Sequence, residues 1–394
     1  DFYSIIISRK KQMSDIISLH REEYGTKPEI VFSAPGIISL LGELNDFNEG
    51  MMLQFALNKR VTVAVSKRKD SSLRFYAADF NERKRTTVAN LKYKREDRWA
   101  NYPKGVLAEI AEEGYKFKGL NFTIFGEIPQ EIGLGSSSAL CTASVYAMRE
   151  LYQYPFGDKE CVELAMRAET AFIGKAGSIS VYIASALSKA GNALYVDLRS
   201  LGYEYVPLRH QGVLLLLTIS NVPKVSSEAE LQYRKDECAK CVAYLNEHNE
   251  GKALRDYTVE DLKHSMGIVP ENTRRLCMHI VEENKRVCEA KEALADDDIA
   301  ALGRILNKSH ESLRDNYEIS CPEIDWLVKR AWEMDEVIGS RLIGSGFGGS
   351  TITLLREEGL RGYNERLEEY ERIFGFPADT VLCEPSSGVI KIEA

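Results

Sequence analysis

Short β-branched and aromatic runs alternate along the chain with long amphipathic stretches, and the two signals are mixed from end to end, which predicts an α+β or α/β protein. In the first half, Glu29 to Ser33, Val61 to Lys67, Leu73 to Ala78, Leu120 to Ile128 and Asn192 to Leu198 read as strands. Helical spacing appears between them at Trp99 to Glu113, Ser136 to Tyr154 and Lys159 to Phe172. After a buried strand at Val213 to Ser220, helical patterns dominate over Ser226 to Glu247, Thr273 to Ala295, Asp297 to Arg314 and Cys321 to Met334. Strands return at Thr351 to Leu355 and Thr380 to Cys383. The change of character near residue 205 divides the chain into units 1–205 and 206–394.

Composition narrows the picture. With 394 residues and 44% hydrophobic content the chain can bury a substantial core, most simply as two domains. A formal charge of −8 argues against a general nucleic-acid or anionic-membrane surface. The longest apolar run, around Val213 to Thr218, is far too short to span a bilayer. Asp1 to Tyr24 mixes charge with Ile and Leu like a helix rather than a signal peptide, so a cytoplasmic location is expected. Eight scattered cysteines show no disulfide rhythm and are expected to be reduced. Cys238 and Cys241 form a CxxC without a second pair at zinc-site spacing, which reads as a helix-borne structural pair.

Two glycine loops carry candidate chemistry. Gly133-Leu134-Gly135-Ser136-Ser137-Ser138-Ala139-Leu140 lies between a strand signal and a helix signal and reads as a phosphate-binding loop. A helix starting in the serines would offer open N–H groups and its positive dipole end to an anion, glycine allows close approach, and hydroxyls add donors or a magnesium ligand. No Lys follows the glycines, so this is not a Walker A loop; a Gly/Ser turn that only caps a helix is the alternative. In Gly344-Ser345-Gly346-Phe347-Gly348-Gly349-Ser350, four glycines imply positive φ or close backbone approach, against the alternative of a bulged hairpin turn.

A third segment, Ser33-Ala34-Pro35-Gly36-Ile37-Ile38-Ser39-Leu40-Leu41-Gly42-Glu43-Leu44-Asn45-Asp46-Phe47, resembles the galactokinase signature Ala-Pro-Gly-Arg-Val-Asn-Leu-Ile-Gly-Glu-His-Thr-Asp-Tyr of the GHMP kinase superfamily. The two glycine loops resemble that superfamily's second and third motifs in order and separation. The likeness extends to Trp99 to Gly105, Ala193 to Ser200, Ser309 to Asp315 and Gly339-Ser340-Arg341. The resemblance implies an α+β, two-domain GHMP kinase fold, with 1–205 as the N-terminal and 206–394 as the C-terminal domain. ATP and a sugar or related polyol would meet in the cleft between them. It further implies that Gly133, Leu134, Gly135, Ser136, Ser137, Ser138 and Ala139 wrap the phosphates, with Gly344, Gly346, Gly348 and Gly349 forming the third-motif loop. Ser137 or Ser138 and Glu169 would hold Mg2+, Trp99 would contact adenine, and Glu43 and Asp46 would accept from sugar hydroxyls. Read by themselves, Trp99 could be core, Glu169 a solvated helix residue, and Glu43 and Asp46 turn caps.

The likeness breaks at the chemistry. The resemblance places a catalytic Arg at Ile37 and a catalytic Asp at Val181, the latter reached without gaps from both the Ala168-Glu169 and the Ala193 to Asp197 anchors. Leu44 replaces the signature His, Ser178 or a neighbour replaces a Gly, and Leu231 replaces a sugar-contacting Tyr. Loss of a general base costs about 10²–10⁴ in rate, and loss of a cationic clamp about 10³–10⁵. Asp46, Ser180, Tyr182 and Lys175 are candidate substitutes. Two functions follow as expectations: a pseudokinase-like Mg-ATP sensor or binding protein with weak or absent galactose 1-phosphorylation, or an active, divergent kinase of galactose or another sugar or polyol.

Overall fold

A computed structural model describes residues 16–130, 132–223, 228–247 and 250–393. Helix α1 (residues 16–24) precedes an eight-stranded sheet of β1 (Ile30–Leu41), β2 (Met51–Lys67), β3 (Ser72–Ala77), β4 (Glu82–Thr87), β5 (Leu120–Gly126), β6 (Asn192–Asp197), β7 (Gly202–Pro207) and β12 (Ile390–Ile392). Its main path runs β12-β1-β2-β5-β3-β4, with β6 and β7 attached through β2. Helices α3 (Ser136–Tyr152) and α5 (Ile179–Leu187) pack against this sheet, and α2 (Asn101–Glu112) and α4 (Asp158–Arg167) pack on α3. The second sheet is antiparallel, ordered β11-β8-β10-β9, from β8 (Val213–Ile219), β9 (Val337–Ile343), β10 (Ser350–Arg356) and β11 (Asp379–Cys383). Its helices are α6 (Glu228–Leu245), α7 (Val259–His264), α8 (Glu271–Ala295), α9 (Ile299–Asp315), α10 (Pro322–Trp332) and α11 (Leu360–Phe374).

The sheets change between Pro207 and Val213, close to the compositional break, yet β12 crosses back to pair with β1. One apolar core joins the halves, since Leu53 and Phe55 of β2 belong to the same buried cluster as Leu215 of β8 and Ile352 of β10. Helix α8 packs against β1, β2 and β7, and α9 against β1 and β9, so this helical pair is a wedge at the junction of the two sheets.

Three departures from the sequence pattern shape the site. Strand β1 does not stop at Ser33 but runs through Pro35 and Gly36 to Leu41, with a register shift between Pro35 and Ile37 where proline offers no N–H to the ladder. Trp99 lies in a 3₁₀ segment, Arg95–Ala100, because Arg98 at φ 43°, ψ −113° breaks the helix before α2 begins at Asn101. The helix expected over Lys159 to Phe172 becomes α4 followed by a π-helical turn, Ala168–Ile173. The start of the pattern at Ser226 falls outside the described residues. No helix among the described residues is long and apolar enough to cross a membrane. All eight cysteines are unpaired, with Cys238 and Cys241 of α6 buried beside Cys277 of α8.

Candidate active site

The loop before α3 is built to leave backbone donors open. Gly133 and Gly135 take φ of +84° and +69°, and Gly135 caps α3 without a side-chain acceptor, so the first N–H groups of a 17-residue helix have no cap. Gly133, Leu134, Gly135, Ser136 and Ser137 line a cavity of about 590 Å³. Ser138 and Ala139, expected in the same cradle, are buried behind it.

Behind the loop, Glu169 is 6% exposed on the π-helical turn. Its Oε1 accepts from Ser137 Oγ at 2.8 Å and its Oε2 from Tyr182 Oη at 2.5 Å. No Lys or Arg among the described residues lies within ion-pair distance of it, in contrast to the solvated helix position the sequence left open. Tyr182 is itself fully buried, and burial first, then Cys141 and Glu169, pushes its phenol far above the ordinary value.

Trp99 lines the same cavity and is fixed by its Nε1–H, which donates to Glu82 Oε2 at 2.9 Å; Arg98 pairs with the other carboxylate oxygen. Lys175 also lines the cavity and donates to Tyr102 Oη at 2.9 Å. Neither Glu82 nor Tyr102 was marked in the sequence as a site residue, because a lone Glu on a charged strand and a Tyr on a helix carry no spacing signal.

The first and third motifs meet the loop from the other side. Ile37 N–H donates to Leu134 O at 2.9 Å, and Gly36 is required there because a Cβ would stand 2.9 Å from that same oxygen. Glu43, 5% exposed, accepts from Gly344 N–H at 3.0 Å and pairs with Arg341, itself fully buried. Gly344 Cα in turn lies 3.6 Å from where a Gly133 Cβ would be. Gly344, Gly346, Gly348 and Gly349 all have positive φ, and a side chain at Gly346 would strike Ile319 O at 2.4 Å. The three motifs thus converge at Gly344.

Arg341 donates to Leu40 O at 2.6 Å and Leu342 O at 2.8 Å and lies 3.7 Å from Glu283 of α8. Glu283 accepts from Gly42 N–H at 2.9 Å, from Ser309 Oγ, and from Arg286 Nε at 2.7 Å. Burial works to raise Glu283, but Arg286 and Arg341 hold it down at about 2. Burial likewise raises Glu43, and there Arg341 only partly opposes it. Glu43 is therefore first of all a tie between β1 and the third-motif loop. Asp46 stands apart on the turn Asp46–Asn48, half-buried, raised by burial and opposed by Lys235, whose ammonium also sits over Phe47. The partnership of Glu283 with Arg341 was not legible: residues 283 and 341 lie on an ordinary-looking amphipathic helix and strand.

The side chain of Val181 and the main chain of Ile37 both approach the loop at Gly135. The Cβ position of Gly135 is 3.1 Å from Val181 Cγ1 and 3.9 Å from Ile37 N. Of the sequence-marked substitutes, Ser180 is buried and hydrogen-bonded to Ser178 at 2.9 Å, and Tyr182 is engaged by Glu169.

Comparison with known proteins agrees with this geometry. Profiles described as galactokinase galactose-binding signature, GHMP kinases N terminal domain and GHMP kinases C terminal match residues 18–67, 101–189 and 290–368. Galactokinase of Thermotoga petrophila is 35% identical over 360 residues, covering 91% of this chain and 99% of its own. Galactokinase of Streptomyces coelicolor is 35% identical over 378 residues, covering 94% and 96%. The crystal structure of Lactococcus lactis galactokinase complexed with galactose superposes with a TM-score of 0.91 at 27% identity, covering 96% of this chain and all of that one. With its three motifs joined at one point and relatives matched over nearly their whole length, the chain belongs to the galactokinase family of GHMP kinases.

Proposed function

We propose that this chain binds Mg-ATP in the cavity beside the 133–139 loop and forms galactose 1-phosphate weakly or not at all, acting as a nucleotide-dependent binding protein or sensor. The residues present fit such a ligand: uncapped N–H groups at the start of α3 face the cavity, Ser136 and Ser137 line it, and Glu169 is a buried carboxylate bound to Ser137. A bound magnesium ion would offset phosphate charge, with Ser137 and Glu169 as the groups to hold it. Trp99, which lines the same cavity, would supply a flat face for a base.

The observation that carries the reading is the aliphatic Val181 side chain against Gly135 of the loop, with the main chain of Ile37 on the same glycine and its side chain apolar and buried. Neither side chain can take a hydroxyl proton or meet a phosphoryl oxygen. The test combines thermal unfolding with and without Mg-ATP and a coupled assay of ATP consumption with galactose. A stabilisation by Mg-ATP with turnover at background is expected; turnover near that of an ordinary kinase, about 1–100 s⁻¹, overturns it. Lys175 favours a second reading, an active kinase of another sugar or polyol, because it brings a cation to the same cavity. Turnover on any member of a panel of such acceptors decides for that reading.

A further inference from the structure

The residue beside the missing acid has taken up a different task. Helix α5 turns Val181 toward Gly135 and, one residue on, Tyr182 toward Glu169.

A carboxylate as buried as Glu169 is normally neutralised by a cation or a metal, and no Lys or Arg among the described residues lies within ion-pair distance of it. Its two oxygens instead accept one hydroxyl each, from Ser137 and Tyr182, which leaves a lone pair on each oxygen for a further ligand. Tyr182 is fully buried, and its hydroxyl lies beside Gly177 of the short loop before α5.

We propose that Tyr182 is a positioning residue that orients the Glu169 carboxylate for a divalent cation on the nucleotide phosphates, an assignment that rests on the Mg-ATP reading above. Partners that fix a metal-binding carboxylate contribute about 10–100-fold to metal affinity when they are removed.

The test measures ATP affinity by calorimetry in EDTA and in Mg2+, and Mn2+ binding to the protein–nucleotide complex by electron paramagnetic resonance, for the wild type and Tyr182→Phe. The expected result is unchanged affinity for metal-free ATP, with Mn2+ affinity and the Mg2+-dependent gain in ATP affinity both reduced about tenfold or more. A role in packing alone would move the unfolding temperature and leave the metal dependence intact. Tyr182→Gln is the second variant, used if the phenylalanine form does not fold. Its shorter side chain removes the phenol from Oε2, and the same weakened metal dependence is expected. Wild-type metal dependence in either folded variant overturns the assignment while the Mg-ATP reading stands. A wild-type protein that binds ATP in neither condition overturns both.

Discussion

Replacing Arg341 by Met is the sharpest probe of how this molecule holds its motifs together. The guanidinium is fully buried and serves Leu40 O, Leu342 O, Glu43 and Glu283 at once, so its loss strands Glu43 and weakens the compensation of Glu283. Methionine fills much of the volume but carries no charge. Breaking a buried pair by removing one partner costs about 3–5 kcal/mol. At about 2 °C per kcal/mol for a long chain, the unfolding temperature should fall by roughly 6–10 °C. The pH dependence gives the reasoning a second handle. Glu43 is raised in the folded state even with Arg341 present, and without it burial raises the group further. A carboxyl raised on folding binds its proton more tightly in the native state, so it favours that state at low pH and its contribution is lost as pH rises through the folded value. The deficit of Arg341→Met should therefore be smaller at about pH 5 than at about pH 8, and Glu43→Gln on the same background should recover part of it. Chemical denaturation followed by circular dichroism at both pH values measures this. A shift of less than about 2 °C, or a deficit independent of pH, would refute the idea that Arg341 neutralises a buried acid at the junction of the motifs.

Gly135→Ala should fold but bind ATP about 5–30-fold more weakly by calorimetry, because it puts a side chain at φ +69° and 3.1 Å from Val181 Cγ1, with about 1–2 kcal/mol of backbone strain at the loop. Val181→Asp combined with Ile37→Arg should raise galactose 1-phosphate formation above that of either single variant; an unchanged rate would show that the acceptor site around Leu44 and Leu231 also no longer takes galactose. His20, buried between Thr123 Oγ1 and Ser66 Oγ, is held down at about 4 by burial, so the unfolded chain binds its proton more readily and stability is lost as pH falls from about 6.5 toward that value. His20→Gln should reduce the slope of unfolding free energy between about pH 6 and 5 by about 1.4 kcal/mol per pH unit, read from urea curves.

What the sequence shows of this fold follows from where burial is one-sided. Helices α8, α9 and α10 each keep one polar face, and their periodicity marks them within a few residues of their ends. Helix α5 is missed because Ile179–Leu187 is apolar almost all round, which erases the period. Strands β4 and β7 are missed for the opposite reason: Glu82–Thr87 has no buried residue and Gly202–Pro207 has only Val206 buried, so pairing with a neighbour holds them without an apolar pattern. At the site, glycines and the residues marked by resemblance were legible because backbone geometry fixes their type. The partners of Glu43 and Glu169 were not, since Arg341 and Tyr182 lie 298 and 13 residues away and reach them only through the packing of the wedge helices and the π-helical turn.

The substitutions at 37 and 181 make physical sense only as a pair. If, as the resemblance implies, a cation belongs at one position and an acid at the other, losing just one would leave an uncompensated charge against a loop whose Leu134 is 2% exposed. Losing both and filling the space with aliphatic groups can be neutral or stabilising, by about 1–4 kcal/mol in comparable cases. Ile37 is 4% exposed and Val181 half-buried against Gly135, so both positions now hold aliphatic groups rather than desolvated charge. The same logic fixes how the reversions must behave. Val181→Asp alone puts a carboxylate against Gly135 with no counter-charge and should destabilise more than the double reversion does, so the two positions should show a coupling of about 0.5–3 kcal/mol in a double-mutant cycle on unfolding free energy. Strict additivity would mean that these side chains do not share an environment, and the apolar pair could then no longer explain a loss of phosphoryl transfer.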